Sequence, residues 1–154
     1  MIVVLFGQPH SGKTTLGELL QKFLQLEKHN WKTDVHHLDG DVLRKLYNNK
    51  DYSKEGRIAN LNRASDIAAY LDSKGLDVVM SLVYPYIEAR TYLISLNTNV
   101  KWIYLTYDCD RGREEFHVKD FDIPKDENVL SLNTSNLSID ECKDNIITYI
   151  NELN

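Results

Sequence analysis

Residues 5–16 read LFGQPHSGKTTL and follow directly on the apolar run Ile2, Val3 and Val4. Residues 2–6 have the continuous, β-branched hydrophobicity of a strand buried on both faces. From residue 13 onward Leu16, Leu19, Leu20, Phe23, Leu24 and Leu26 recur at helical spacing, which predicts a helix over 13–28. Between strand and helix stand Gly7, four residues, then Gly12, Lys13 and Thr14, the G-x-x-x-x-G-K-[ST] pattern of a phosphate-binding loop. Each part has a physical task. Glycines let the backbone curl until successive N–H groups face one anion. The start of the helix adds free N–H groups and the positive end of its dipole. Gly7, His10, Ser11, Gly12, Lys13, Thr14 and Thr15 are therefore the expected ATP-binding residues. Lys13 would reach the β- and γ-phosphates and the Thr14 hydroxyl would ligate Mg²⁺.

Outward from this loop, strand and helix patterns alternate. Residues 33–39 (TDVHHLD), 76–83 (LDVVMSLV), 100–107 (VKWIYLTY) and 128–133 (NVLSLN) read as further strands. Helices are expected over 41–47, 55–73 with Gly75 closing it, 86–96 and 139–152. That order predicts an α/β fold, a five-stranded parallel sheet covered by helices on both faces, in the three-layer P-loop NTPase arrangement of nucleotide kinases. Residues 1–154 form one expected domain, and its irregular part is a polar, lid-like segment near 109–127.

Composition narrows the function classes. A chain of 154 residues with 42% hydrophobic and 27% charged residues can bury a core without disulfides. Its net charge of -5 argues against general nucleic-acid binding. No apolar run is long enough to span a membrane, and Met1 leads straight into a strand-like segment. Cys109 and Cys142 have neither metal-site spacing nor a disulfide framework, so a reduced, cytoplasmic setting is expected. His36 and His37 adjoin on a strand, point to opposite faces and cannot share one ion.

A phosphate-binding loop serves kinases, GTPases and motor ATPases alike. Guanine recognition needs an N-K-x-D element after a late strand, and NNKDY at 48–52 has its aspartate misplaced. The strand at 76–83 ends in MSLVYPY without an acid, unlike a motor ATPase. A small kinase remains, with its second substrate across the sheet edge from ATP. Asp39 and Asp41 end the second strand at the carboxyl edge, where open α/β sheets bind ligands.

The stretches GQPHSGKTT, LDGDVLR at 38–44, YSKEGRIANLNR at 52–63, SLVYPY at 81–86 and VKDFDIP at 118–124 together resemble the adenylylsulfate kinases. These enzymes phosphorylate the 3′-hydroxyl of adenosine 5′-phosphosulfate (APS) with MgATP. The resemblance implies that Lys13 and Asp39 are catalytic, with Asp39 on the acceptor hydroxyl and the metal's water, beside Thr14. Asp41, Arg44, Arg57 and Asn60 match positions around the acceptor, and a guanidinium suits a phosphate or sulfate through paired hydrogen bonds. Tyr52 and Phe121 fall where the family clamps the adenine, Ser81 where its serine lies in the substrate cleft, and Lys119 in the lid's K-x-F core.

Departures accompany the resemblance. Gly56 stands for the usual aspartate before Arg57, and Tyr84 for the usual serine before Pro85. The lid segment is shorter than the family's and lacks its T-G; Arg111 and Arg113 are both candidates for meeting ATP. A short lid admits a second acceptor class, represented by the cytidine diphosphoramidate kinases of capsule pathways. A regulator that binds nucleotide without turnover is the alternative from outside enzymology. The oligomeric state stays open, a homodimer among the alternatives, and the expected partner is a small nucleotide rather than a nucleic acid or a membrane.

Overall fold

The structure is a computed structural model describing residues 1–27, 34–96, 99–109, 111, 114–125 and 128–152. Among the described residues five strands, β1 (Ile2–Phe6), β2 (Val35–Asp39), β3 (Asp77–Ser81), β4 (Val100–Thr106) and β5 (Val129–Asn133), alternate with five α-helices. These are α1 (Lys13–Glu27), α2 (Gly40–Leu46), α3 (Lys54–Ser73), α4 (Ile87–Leu96) and α5 (Ile139–Glu152). The sheet runs β2-β3-β1-β4-β5 with every pairing parallel. It is the expected α/β fold with a five-stranded parallel sheet. Residues 28 and 33, at the ends of two expected elements, lie outside the described residues.

Burial explains the order. All five residues of β1 are inaccessible to solvent, as the central strand of a two-faced sheet must be. Alternate residues feed two cores. Ile2, Val4, Phe6, Val78 and Met80 pack with Leu61, Ala64 and Ala68 of α3. Val3, Leu5, Val35 and Val79 pack with Leu16 and Leu20 of α1 and Ile146 and Ile150 of α5. The sheet is therefore sealed between helices, and only its ends can carry a site.

Register fixes what meets at the carboxyl end. Asp39 pairs with Ser81, and Ser81 with Leu5, so β2, β3 and β1 finish level. Asp39 thereby lies two strand spacings, about 10 Å, across the sheet from the start of the phosphate-binding loop. No helix among the described residues is long and apolar enough to cross a membrane.

Candidate active site

The loop after β1 is shaped by positive φ angles at Gly7 (148°), His10 (64°) and Gly12 (93°). At Gly7 a Cβ would stand 2.2 Å from the Leu105 carbonyl oxygen, so the loop can leave the sheet there only because no side chain exists. The buried Lys13 ammonium donates to the Gln8 carbonyl (2.6 Å) and the Ser11 hydroxyl (3.2 Å). Burial pulls its pKa down to about 8, against the opposing pull of Asp41 and Asp39. A cation held at this cost is stabilised when a polyanion joins it.

Asp39 binds two elements at once. Its Oδ1 caps α2, accepting from the N–H groups of Asp41 (2.9 Å) and Val42 (3.1 Å). Its Oδ2 accepts from the Thr14 hydroxyl at 2.7 Å. The DGD turn is thus both a helix cap and the place where the phosphate loop meets the carboxyl end of β2. Thr14 Oγ1 and Asp39 Oδ2 form a pair of hard oxygen donors in the cleft wall. That donor set fits Mg²⁺, which takes one or two protein oxygens and keeps its waters.

A cleft of about 930 Å³ opens over this edge. Its phosphate side is lined by His10, Gly12, Lys13, Thr14, Thr15 and Arg111, and its far side by Asp39, Asp41, Arg44, Tyr52, Arg57 and Asn60. The Arg111 guanidinium donates to Thr134 Oγ1 (2.9 Å) and the Thr134 carbonyl (2.9 Å), and His10 Nδ1–H donates to the Arg111 carbonyl at 2.6 Å. Arg113 lies outside the described residues. On the far side, Arg44 stacks 4.2 Å from the Tyr52 ring centroid and donates to the Asp51 carbonyl (2.8 Å). Arg57 Nε donates to the Tyr52 carbonyl at 3.0 Å. Asn60 is buried on the cleft wall, and its Oδ1 has no hydrogen-bond partner among the described residues.

Comparison with known proteins now bears on this geometry. The family model for adenylylsulphate kinase matches residues 1–116. The chain belongs to the adenylylsulphate kinase family. The cytidine diphosphoramidate kinase of Campylobacter jejuni is 31% identical over 109 residues, covering 71% of this chain and 61% of that protein. A probable adenylyl-sulfate kinase of Aeropyrum pernix is 37% identical over 91 residues, covering 58% of this chain and 48% of that protein. The chain therefore spans about half to three-fifths of these relatives' lengths. The Mycobacterium tuberculosis APS kinase CysC in complex with AMPPNP and APS superposes with a TM-score of 0.81, at 22% identity, over 97% of this chain and 96% of that one. At that identity the likeness is one of fold.

Within this adenylylsulphate kinase fold, two residues expected around the acceptor, Phe121 and Lys119, lie outside the cleft lining. Phe121 stacks on Phe6 (6.5 Å, 11°) and lies tilted beside Tyr104 (5.7 Å), half-buried against the core of the α3 face. Lys119 is exposed and also outside the cleft lining. The cause is how the short lid is tied down. Gln8 pairs with Val118 through both its amide atoms (2.8 and 3.0 Å), and Asp122 exchanges bonds with Pro85, Ile87 and Arg90. The strap between these ties is drawn along the sheet edge, which turns Phe121 inward. Ser81 reaches the cleft, but its hydroxyl donates to the Lys13 carbonyl at 2.9 Å. With that proton committed, the 2.8 Å contact from His37 Nε2 must be a donation from the ring, and burial lowers the His37 pKa.

The sequence reading missed His37 as a support of Ser81, and the pattern offered one signal: Gly17 on the facing helix. A Cβ there would sit 2.3 Å from Ser81 Oγ and 2.5 Å from His37 Nε2. It also missed Phe116, which lines the cleft 5.9 Å from the Tyr52 ring. The two departures also find structural reasons. Tyr84 is fully buried at φ 46°, edge-on to Trp102 (5.5 Å) with its hydroxyl on Ser65 (2.5 Å), and burial raises its pKa. Gly56 lies so close to Asp51 that a Cβ would come 2.3 Å from the carboxylate carbon.

Proposed function

We propose that this chain transfers the γ-phosphoryl group of MgATP to the 3′-hydroxyl of a nucleotide, with APS as the acceptor favoured by the family match. The observation that carries the reading is the 2.7 Å bond from Thr14 to Asp39, which brings the metal-binding end of the phosphate loop against the acidic edge facing the acceptor residues. Loop N–H groups and Lys13 hold the triphosphate and stabilise charge on the transferring oxygens. Thr14 and Asp39 would hold Mg²⁺, which would offset the charge of the phosphates. Asp39 accepts a hydrogen bond from the acceptor hydroxyl and takes its proton. Arg44, Arg57 and Asn60 line the wall where the acceptor's anionic groups and ribose would be held. Most of the acceleration comes from alignment and electrostatics, since phosphoryl transfer leaves little covalent work for protein groups.

A second acceptor, cytidine diphosphoramidate, is favoured by one specific observation: the ring that resemblance assigns to an adenine clamp, Phe121, is turned from the cleft and packed against the core. The test is ADP release from MgATP with APS, beside cytidine diphosphoramidate and a panel of nucleoside 5′-phosphates. Saturable turnover with APS supports sulfate activation. Turnover only with another nucleotide keeps the mechanism and moves the acceptor. ATP binding without turnover on any nucleotide overturns the reading in favour of a regulator.

A further inference from the structure

The geometry points to Phe116 as the second ring of the acceptor's base-binding clamp, facing Tyr52 across the mouth of the cleft. This inference rests on the reading that the acceptor is a nucleotide. Phe116 ends the short 3-10 turn at Glu114–Phe116, and Tyr52 ends the loop between α2 and α3. The two rings are 42% and 49% exposed, an arrangement that leaves large apolar faces in water unless something flat covers them. Their centroids are 5.9 Å apart with planes tilted by 48°. A base held between them at van der Waals contact needs about 3.5 Å on either side, or about 7 Å in all. The turn would have to shift outward by about 1 Å and one ring rotate to bring the two planes parallel.

One guanidinium sets the spacing of the pair. Arg57 Nε donates to the Tyr52 carbonyl at 3.0 Å, and the same group's NH2 donates to the Phe116 carbonyl at 3.3 Å. Both rings are therefore hung from one side chain of α3, which is itself fixed by its helix. Arg44 adds support from below, 4.2 Å from the Tyr52 centroid, and a guanidinium stacked on a ring favours that ring's orientation. Phe121 cannot serve, because Phe6 and Tyr104 already hold it. Stacking between two rings accepts the π-face of any base, so this clamp selects nucleobase-bearing acceptors as a class. A sugar phosphate without a base gains nothing from it.

Calorimetric titration of the intact chain, with the donor side filled by MgAMPPNP, tests the assignment. The probes are AMP, CMP and ribose 5-phosphate; the variants are Phe116→Ala, Phe116→Tyr and Phe121→Ala. Phe116→Ala is expected to weaken AMP or CMP by about tenfold or more while leaving ribose 5-phosphate and MgAMPPNP unchanged. Phe116→Tyr should restore the loss, and Phe121→Ala should lower the melting temperature without a base-selective loss. Wild-type preference for AMP or CMP that survives in Phe116→Ala, or a base-selective loss in Phe121→Ala, overturns the assignment alone. No preference for either nucleotide over ribose 5-phosphate in the wild type overturns the nucleotide reading and the clamp with it.

Discussion

Lys13 and Ser81 are nearly sealed from solvent, whereas Tyr52 and Phe116, across the same cleft, stand half exposed. The phosphate side is built on the central strand β1 and the first turn of α1, with Ser81 and His37 bracing that turn from β3 and β2. The acceptor side is built from a loop, a short turn and the carbonyls that Arg44 and Arg57 hold. A rigid half suits a substrate whose phosphates must be aligned to a fraction of an ångström. A half made of surface segments suits a partner that differs from one relative to the next. The contrast predicts that substitutions on the two sides should fail in different kinetic constants.

The largest effect is expected from Lys13→Ala, which removes the one buried cation of the phosphate loop and should lower turnover by ~10³-fold. Asp39→Asn should lower kcat by about 10²–10³-fold, a larger loss than its loss of MgATP affinity. An asparagine oxygen can still cap α2, so normal melting with lost turnover would separate chemistry from folding. Full kcat in Asp39→Asn would remove its catalytic role. Gly56→Asp restores the family's usual residue, but its Cβ would lie 2.3 Å from the Asp51 carboxylate carbon and 2.6 Å from the Asp51 carbonyl oxygen. The loop carrying Tyr52 must then move, at a cost of about 1–3 kcal/mol in stability. KM for the acceptor should rise about tenfold while KM for MgATP holds, the same order as loss of one stacking contact. An equal rise in both would erase the distinction between the halves.

The smallest effect is a pH dependence. Burial lowers Lys13 from 10.5 to about 8, and the loop needs its cation to bind the triphosphate. The cation is present below about pH 8 and is lost above it. KM for MgATP should therefore be flat below that pH and rise about tenfold per unit above it, with KM for the acceptor flat throughout. A flat profile for MgATP to pH 9 would show that Lys13 titrates as an exposed lysine does.

Every described strand and helix end lies within two residues of where periodicity predicts it. That part was legible because a parallel sheet buried on both faces leaves continuous apolar runs, and helices keep their own period. The phosphate loop was legible because its glycines and lysine act within a few residues of one another. On the acceptor side the motif residues Asp39, Asp41, Arg44, Tyr52, Arg57 and Asn60 were legible and all line the cleft, whereas the lid's contribution was not. Phe121 faces the core because Gln8 grips Val118 from 110 residues away, and Phe116 reaches the cleft through Arg57, 59 residues distant. Ser81 turns toward Lys13 because Gly17 leaves room for it and His37. None of these contacts has a local signature.

The proposed reaction joins the two sides of the cleft at a nucleotide 3′-hydroxyl beside Asp39. It is tested most directly by comparing ADP release on the acceptor that turns over with release on its 3′-deoxy analogue. The analogue should bind with similar affinity and give no acceptor-dependent ADP, and the product of the intact acceptor should carry its new phosphate on C3′. Undiminished turnover of the 3′-deoxy analogue, or a product phosphorylated elsewhere, would contradict it.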